Sequence, residues 1–289
     1  MNKTLISVLA GLGAMFGWGT SDFFANLSSD KVGHLKAFFW SQLAGIIFTV
    51  FLIPFFGIST QVSLFLGIII FLSSIAYAAG YLFFYKAFEV GNVSVVSAAI
   101  NLEVVIGMLI AVIFSGQSLT LFQLFSVFLV LSGAFLVSVN FNDFKKNEFK
   151  LLAGVKEVLF ASVFFGVFWN LSEYISEIIG WLPTSLYVKF GAIISLLFFS
   201  FFAKKKLKIE KANKKILLVI ALIGILEAAA VASMNYGLEF GDLVLVYPIS
   251  SALSIVTILM AVVFLKEKIT KIQSLGIIIT IVGIILTSI

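Results

Sequence analysis

Two glutamates stand where a merely greasy sequence would have none. Glu103 falls near the centre of the apolar run VSAAINLEVVIGMLIAV, and Glu227 near the centre of LIGILEAAAVASMNYG. An ionised carboxylate at the middle of a membrane helix costs at least about 2.5–3.5 kcal/mol on insertion scales. An acid kept there is neutral, hydrogen-bonded or holding a cation, and burial favours the neutral form. That chemistry suits a proton carrier or an anchor for a substrate amine. The plainer alternative is a protonated glutamate that bridges two helices. The sequence predicts no lysine at this depth. Lys189 is placed about a turn and a half into its own apolar run, where its long stem lets it snorkel to the surface.

A second tier surrounds these two. Asp22 and Glu173 lie toward the ends of their apolar runs, at roughly matching places in the two halves of the chain. Each is either a pathway acid or a carboxylate reaching the interface. Trp18 and Trp169 are placed to stack on a cationic or aromatic solute, with lipid-facing packing as the alternative. Asn170 follows Trp169, and Asn101 precedes Glu103 by two residues. Ser250 and Ser251 follow Pro248, where small hydroxyl residues read first as helix packing. The glycines of GWG at 17–19 leave both flexibility and close approach open. Glu239 and Asp242 bracket Gly241 in LEFGD and read as a surface turn; Glu148, Glu157 and Glu210 lie among lysines and read as ordinary charges.

The elements that carry these residues are membrane helices. The chain of 289 residues is 61% hydrophobic and 11% charged, far from the roughly quarter-charged balance of soluble domains. Apolar runs recur, each able to cross about 30 Å of hydrocarbon with about 20 helical residues. Their length and lack of alternation disfavour a membrane β-barrel. The expectation is an all-α integral membrane protein with ten spans: 5–27, 35–56, 62–86, 92–114, 119–140, 152–175, 183–203, 215–238, 242–264 and 270–289. No cysteine is present and His34 is the one histidine, so thiol chemistry and His-rich metal sites are excluded. No metal and no cofactor is expected. H-E-x-x-H and P-loop motifs are absent, which argues against an enzyme and against direct use of ATP.

A shift of 150 residues aligns the chain with itself. FEVGNVSVV meets LEFGDLVLV, and LIAVIFSGQSLTLFQ meets LMAVVFLKEKITKIQ. Glu89 pairs with Glu239, Gly91 with Gly241, Thr120 with Thr270, Gln123 with Gln273 and Gly133 with Gly283. Two repeats follow, 1–140 and 152–289, joined by a polar linker 141–151. Five spans is an odd number, so the second repeat enters the membrane inverted, the architecture of alternating-access carriers.

The pattern FGWG in the first span, a proline–small-residue helix, a lysine/glutamate turn and a closing glycine-rich helix resembles the EamA-type members of the drug/metabolite transporter superfamily. The stretch VYPISSALSIVTILMAVVFLKEKITKIQSLGIIITIVG carries the resemblance best. The first repeat departs from it: Ala98 stands at the position of Pro248, and Gln117 at that of Glu267. The resemblance implies ten helices in two inverted fives, and transport of a small molecule.

Sixteen lysines fall on the side opposite the termini and Lys3 alone on the terminal side. The positive-inside rule then places both termini outside the cell, whereas the family resemblance more usually implies cytoplasmic termini. The lysines mark topology, so the basic pI does not point to nucleic acid. The function expected is a secondary transporter in the plasma membrane. Its cargo is a small metabolite, an amino acid or another amine-bearing solute, moved by exchange with protons as coupling ion or by facilitated diffusion, with membrane lipid as surroundings. The runner-up is an exporter of cationic drugs, and a non-transport membrane scaffold comes third.

Overall fold

A computed structural model describes residues 3–57, 61–115, 120–138, 151–210, 214–240, 249–250 and 252–287. Eleven helices run through them: α1 (Lys3–Val32), α2 (His34–Phe56), α3 (Leu64–Val90), α4 (Val93–Ala99), α5 (Leu102–Ser115), α6 (Leu121–Ser138), α7 (Val155–Ile179), α8 (Trp181–Phe202), α9 (Lys214–Phe240), α10 (Leu253–Phe264) and α11 (Lys271–Thr287). Because α4 and α5 share one passage, the helices make ten passages. Six stretches are long and apolar enough to span a membrane unaided, including Val93–Ile110, which runs across the α4–α5 break. Helices are the form these sequences must take, since hydrocarbon offers no partner for a free backbone N–H or C=O.

The ends of the helices are set by side chains in the loops. Ser63 accepts from the Leu66 amide to start α3, and Asn92 accepts from the Val95 amide to start α4. Thr270 and Gln273 form a reciprocal pair at the start of α11: each backbone N–H reaches the other's side chain, at 3.2 and 3.0 Å. This is a capping box. It gives a physical reason for the Thr120/Thr270 and Gln123/Gln273 coincidences seen in the repeat.

Packing partners obey the same 150-residue exchange. α1 packs on α9, and α3 on α7; α2 packs on α9, and α8 on α3; α5 packs on α7, and α10 on α1. The equivalent helices α6 and α11 pack on each other. Here glycine is needed for close approach. A methyl group on Gly133 would stand 2.6 Å from the Gly276 carbonyl, and one on Gly283 would stand 2.8 Å from the Val130 amide. Residues 130 and 133 thus face 283 and 276, so the two helices run antiparallel.

The apolar core lies between α2, α3, α7 and α8, around Phe38, Tyr85, Phe88, Phe165 and Leu196. Large apolar residues such as Phe51, Phe128, Phe198 and Phe202 face outward, as a lipid-facing surface requires. Gly17 and Gly19 sit in tight crossings. Their added methyls would lie 3.0 Å from the Leu226 carbonyl and 2.7 Å from the Leu253 carbonyl. Close approach is therefore the role of the GWG glycines.

Candidate functional site

Four polar side chains meet in the core, each from a buried helical stripe of three- and four-residue steps. On α8 the stripe is Leu182, Leu186, Lys189, Ile193, Leu196. On α9 it includes Ile216, Ile220, Ile223, Glu227 and Ala230. Gln42 on α2 and Tyr77 on α3 hold comparable places. Packing of these four helices turns the stripes toward one another. Lys189 forms an ion pair with Glu227, and its ammonium also donates to Tyr77 Oη at 3.0 Å and Gln42 Oε1 at 3.1 Å. Tyr77 Oη lies 2.8 Å from Gln42 Oε1 and 3.0 Å from Glu227 Oε1. Lys189 and Glu227 are each only 2% exposed.

This overturns the expectation that no lysine reaches the depth of Glu227. Lys189 does not snorkel outward. It is eight residues beyond the start of α8 at Trp181, and it stands on the stripe that packs against α2 and α3. Its four-carbon stem therefore carries the charge inward. Tyr77 and Glu227 are repeat equivalents, 150 residues apart, so the two halves touch at matching positions.

Beside this pair lie two acids without a basic partner among the described residues. Asp22 on α1 is buried, and among the described residues no side chain or amide donates to it. It lies close enough to Glu103 and Glu227 for their charges to interact. Glu103 is half-buried and lies within electrostatic reach of the Trp169 indole. Trp18 packs edge-on against Trp169 with centroids 6.1 Å apart. Half-buried Tyr81 packs at a tilt against Tyr77 and edge-on against Phe165, and its hydroxyl is within electrostatic reach of all three acids. Asn170 ties α7 to α5 through the Gly107 carbonyl at 3.2 Å.

The helix carrying Glu103 is interrupted just before it. α4 ends at Ala99, and the backbone turns through Ile100 and Asn101, with the amides of Glu103 and Val104 bonding three residues back. Ala252, one residue beyond the repeat equivalent of Asn101, begins a comparable turn before α10. The two turns meet. Asn101 Nδ2 donates to Ser254 Oγ at 3.0 Å, and Ser254 Oγ lies 2.9 Å from the Ser97 carbonyl. Discontinuous helices at the junction of two halves are where carriers place substrate and ion sites.

The expected site residues thus divide. Asp22, Glu103, Glu227, Trp18, Trp169, Asn170 and Asn101 lie on the helices of this junction. Glu173 does not join them, because its side chain is exposed. The reason is register. Asp22 matches Ser172, and Glu173 is one residue on, about 100° further round the helix. Gln117, Gly241, Asp242, Pro248 and Ser251 lie outside the described residues, as do the side chain of Glu239 and the linker 141–150. Lys189, Tyr77, Gln42 and Tyr81 were not read as site residues from the sequence. The signal for the first three was their register with the buried apolar stripes.

At the lysine-rich end, the turn after α10 reaches across to the other repeat. Glu267 accepts from the Val93 amide at 2.8 Å, the Ser94 amide at 3.1 Å and the Ser94 hydroxyl at 2.7 Å. A carboxylate there satisfies free donors at the start of α4 and meets the positive end of its dipole. His34 starts α2, where its backbone N–H donates to Glu89 and its ring lies 2.5 Å from the same oxygen. At the terminal end, an apolar recess of about 420 Å³ opens between α1, α2, α8 and α9, lined by Ile6, Phe48, Phe56, Trp181 and Tyr236.

The profile of the EamA-like transporter family matches residues 5–139 and again 152–289. The chain belongs to this family. It is accordingly a multi-pass integral membrane protein of the drug/metabolite transporter superfamily, built from two EamA repeats. A solved structure described as "Crystal structure of protein" superposes with a TM-score of 0.68 at 15% identity, covering 97% of this chain and 95% of the other. At that identity the likeness concerns the fold alone. No curated protein matches the sequence. The loose EamA motifs now have physical roles. FGWG is the α1 crossing, the lysine/glutamate turn places Glu267 on α4, and the closing glycine helix is the α6–α11 contact.

Proposed function

We propose that this EamA-family protein is a secondary transporter that moves a small metabolite by alternating access. The moving units are the repeats 1–140 and 152–289, inverted relative to each other. The observation that carries the reading is the meeting of Asp22, Glu103 and the Lys189–Glu227 pair beside the α4–α5 break, at the junction of the repeats. The antiparallel contact of α6 with its own equivalent α11 supports the inversion. The cargo is an amino acid or another amine-bearing solute. Asp22 and Glu103 are the acids that exchange a proton or cation, because neither has a basic partner among the described residues. Trp18, Trp169, Asn170 and Asn101 line or brace the pathway.

The lysine bias places the lysine-rich end in the cytoplasm and both termini outside. A reporter fused to the C-terminus and active only in the cytoplasm tests this, and activity there rejects the orientation. Transport is tested in vesicles with amine and amino-acid panels, with and without a pH gradient. Glu103→Gln and Asp22→Asn are expected to abolish transport or its pH dependence while protein remains in the membrane. Normal, equally pH-dependent transport by both variants rejects the acid-centred mechanism. The second reading, export of cationic drugs, is favoured by the aromatic pair Trp18–Trp169 beside the acids.

A further inference from the structure

The densest run of positive charge in the chain lies on the connection from α8 to α9. It carries Lys204, Lys205, Lys206 and Lys208, and α9 opens with Lys214 and Lys215. These lysines are exposed, and none forms an ion pair with a described residue. Other acids at this end are already engaged, Glu89 by Lys86 and His34 and Glu267 by the amides of α4. The connection has a built shape. α8 ends on Phe201 and Phe202, 78% and 75% exposed, so lipid-facing rings run directly into the lysines. Lys204 takes a left-handed turn (φ 51°). The Ser200 hydroxyl donates to the Lys205 carbonyl, and the Lys205 amide donates to the Ser200 carbonyl. Half-buried Leu207 and Ile209 then alternate with exposed Lys206 and Lys208, so an apolar face turns inward and a lysine face outward. Leu207 packs on the core, and its carbonyl accepts the indole N–H of Trp40 at 2.9 Å. Tryptophan sits by preference at the headgroup level of a bilayer, and this tether holds the lysines at the same depth. Lys214 adjoins a shallow recess of about 300 Å³ lined with Leu217 and Leu218.

We infer that this connection is a docking site for an anionic phospholipid. Its phosphate lies on the lysines, and its acyl chains lie against Phe201, Phe202, Leu217 and Leu218. Basic clusters directly beside a membrane helix attract anionic lipid, and lysine binds phosphate as a point charge. A soluble anion has use for the lysines but none for the recess and the exposed rings, which is why a lipid is the occupant. The site needs only that the chain is a membrane protein, and it is separate from the junction around Glu227. Trp40 belongs to the first repeat and Leu207 to the second, so the lipid docks where the two repeats are tied.

The test uses the full chain purified in detergent, titrated with dioleoyl phosphatidylglycerol or dioleoyl phosphatidylcholine and read by native mass spectrometry. The two lipids share their acyl chains, so a preference reports the headgroup. Phosphatidylglycerol is expected to bind at least about tenfold tighter, since each lysine near an anionic headgroup contributes roughly fivefold. Replacing Lys204, Lys205, Lys206 and Lys208 with glutamine is expected to erase most of that preference. The control replaces Lys31, Lys266, Lys268 and Lys271, which removes the same charge from the same end, and is expected to keep the preference. Millimolar inorganic phosphate is expected to leave phosphatidylglycerol bound. Equal binding of the two lipids by the wild-type protein overturns the inference, and so does an equal loss of preference in the two lysine variants. Displacement of phosphatidylglycerol by inorganic phosphate also overturns it, and identifies a site for soluble anions instead.

Discussion

Replacing Lys189 with methionine keeps the length of the side chain and removes its charge. Glu227 is then left 2% exposed with no cation beside it, and Gln42 and Tyr77 each lose a donor. Removing one member of a buried ion pair costs about 3–5 kcal/mol, chiefly because the remaining charge is uncompensated. That corresponds to a loss of roughly two to four orders of magnitude in the folded-to-unfolded ratio. The double variant Lys189→Met, Glu227→Gln removes the stranded charge, and the glutamine carbonyl can still accept from Tyr77. Because neutral replacements of buried pairs are often close to neutral in stability, the double variant is expected to recover most of the loss. The assay is denaturant unfolding of the detergent-purified protein followed by far-ultraviolet circular dichroism, arranged as a double-mutant cycle. Coupling of about 2 kcal/mol or more is the expected outcome. A single variant that unfolds at the wild-type midpoint refutes the buried pair. A double variant no more stable than the single refutes the assignment of the cost to Glu227.

The remaining predictions concern the frame around the site. Gly133→Val is expected to abolish the folded protein or shift it to aggregates on gel filtration, because its side chain would collide with the Gly276 backbone; the outward-facing Phe128→Val serves as the tolerated control. Glu267→Ala is expected to cost about 0.5–2 kcal/mol, the range for losing a cap, and to speed hydrogen exchange at the Val93 and Ser94 amides. Glu267→Gln, which keeps an acceptor but loses the charge, is expected to have a smaller effect on the same exchange rates. Thr270→Ala, which breaks the capping box of α11, is expected to destabilise by a similar amount, read from the same unfolding curves.

Much of the architecture was legible because its causes are local or periodic. Apolar runs of membrane length dictate helices. Odd repeats and matching turn residues at a constant offset of 150 point to paired halves. Thr270 and Gln273 were visible as a coincidence before their geometry gave the reason. Glu103 and Glu227 were legible because charge inside an apolar run is conspicuous. Lys189 was misjudged because snorkelling and inward pairing start from the same sequence position. Which one occurs depends on the face of α8 that packs against α2 and α3. Glu173 was grouped with Asp22 by approximate position, and a one-residue offset put it on the exposed side.

The sequence by itself determined that this chain is a repeated bundle of membrane helices with acids at costly depth. Those conclusions follow from transfer energies and from backbone hydrogen bonding, which act residue by residue. Only the tertiary structure decided which charges cancel. Glu227 is neutralised by a lysine 38 positions away, and Asp22 and Glu103 come within reach of each other from different helices with no lysine beside them among the described residues. Charge balance is a property of what lies within a few ångströms in space, and helix packing alone sets that neighbourhood.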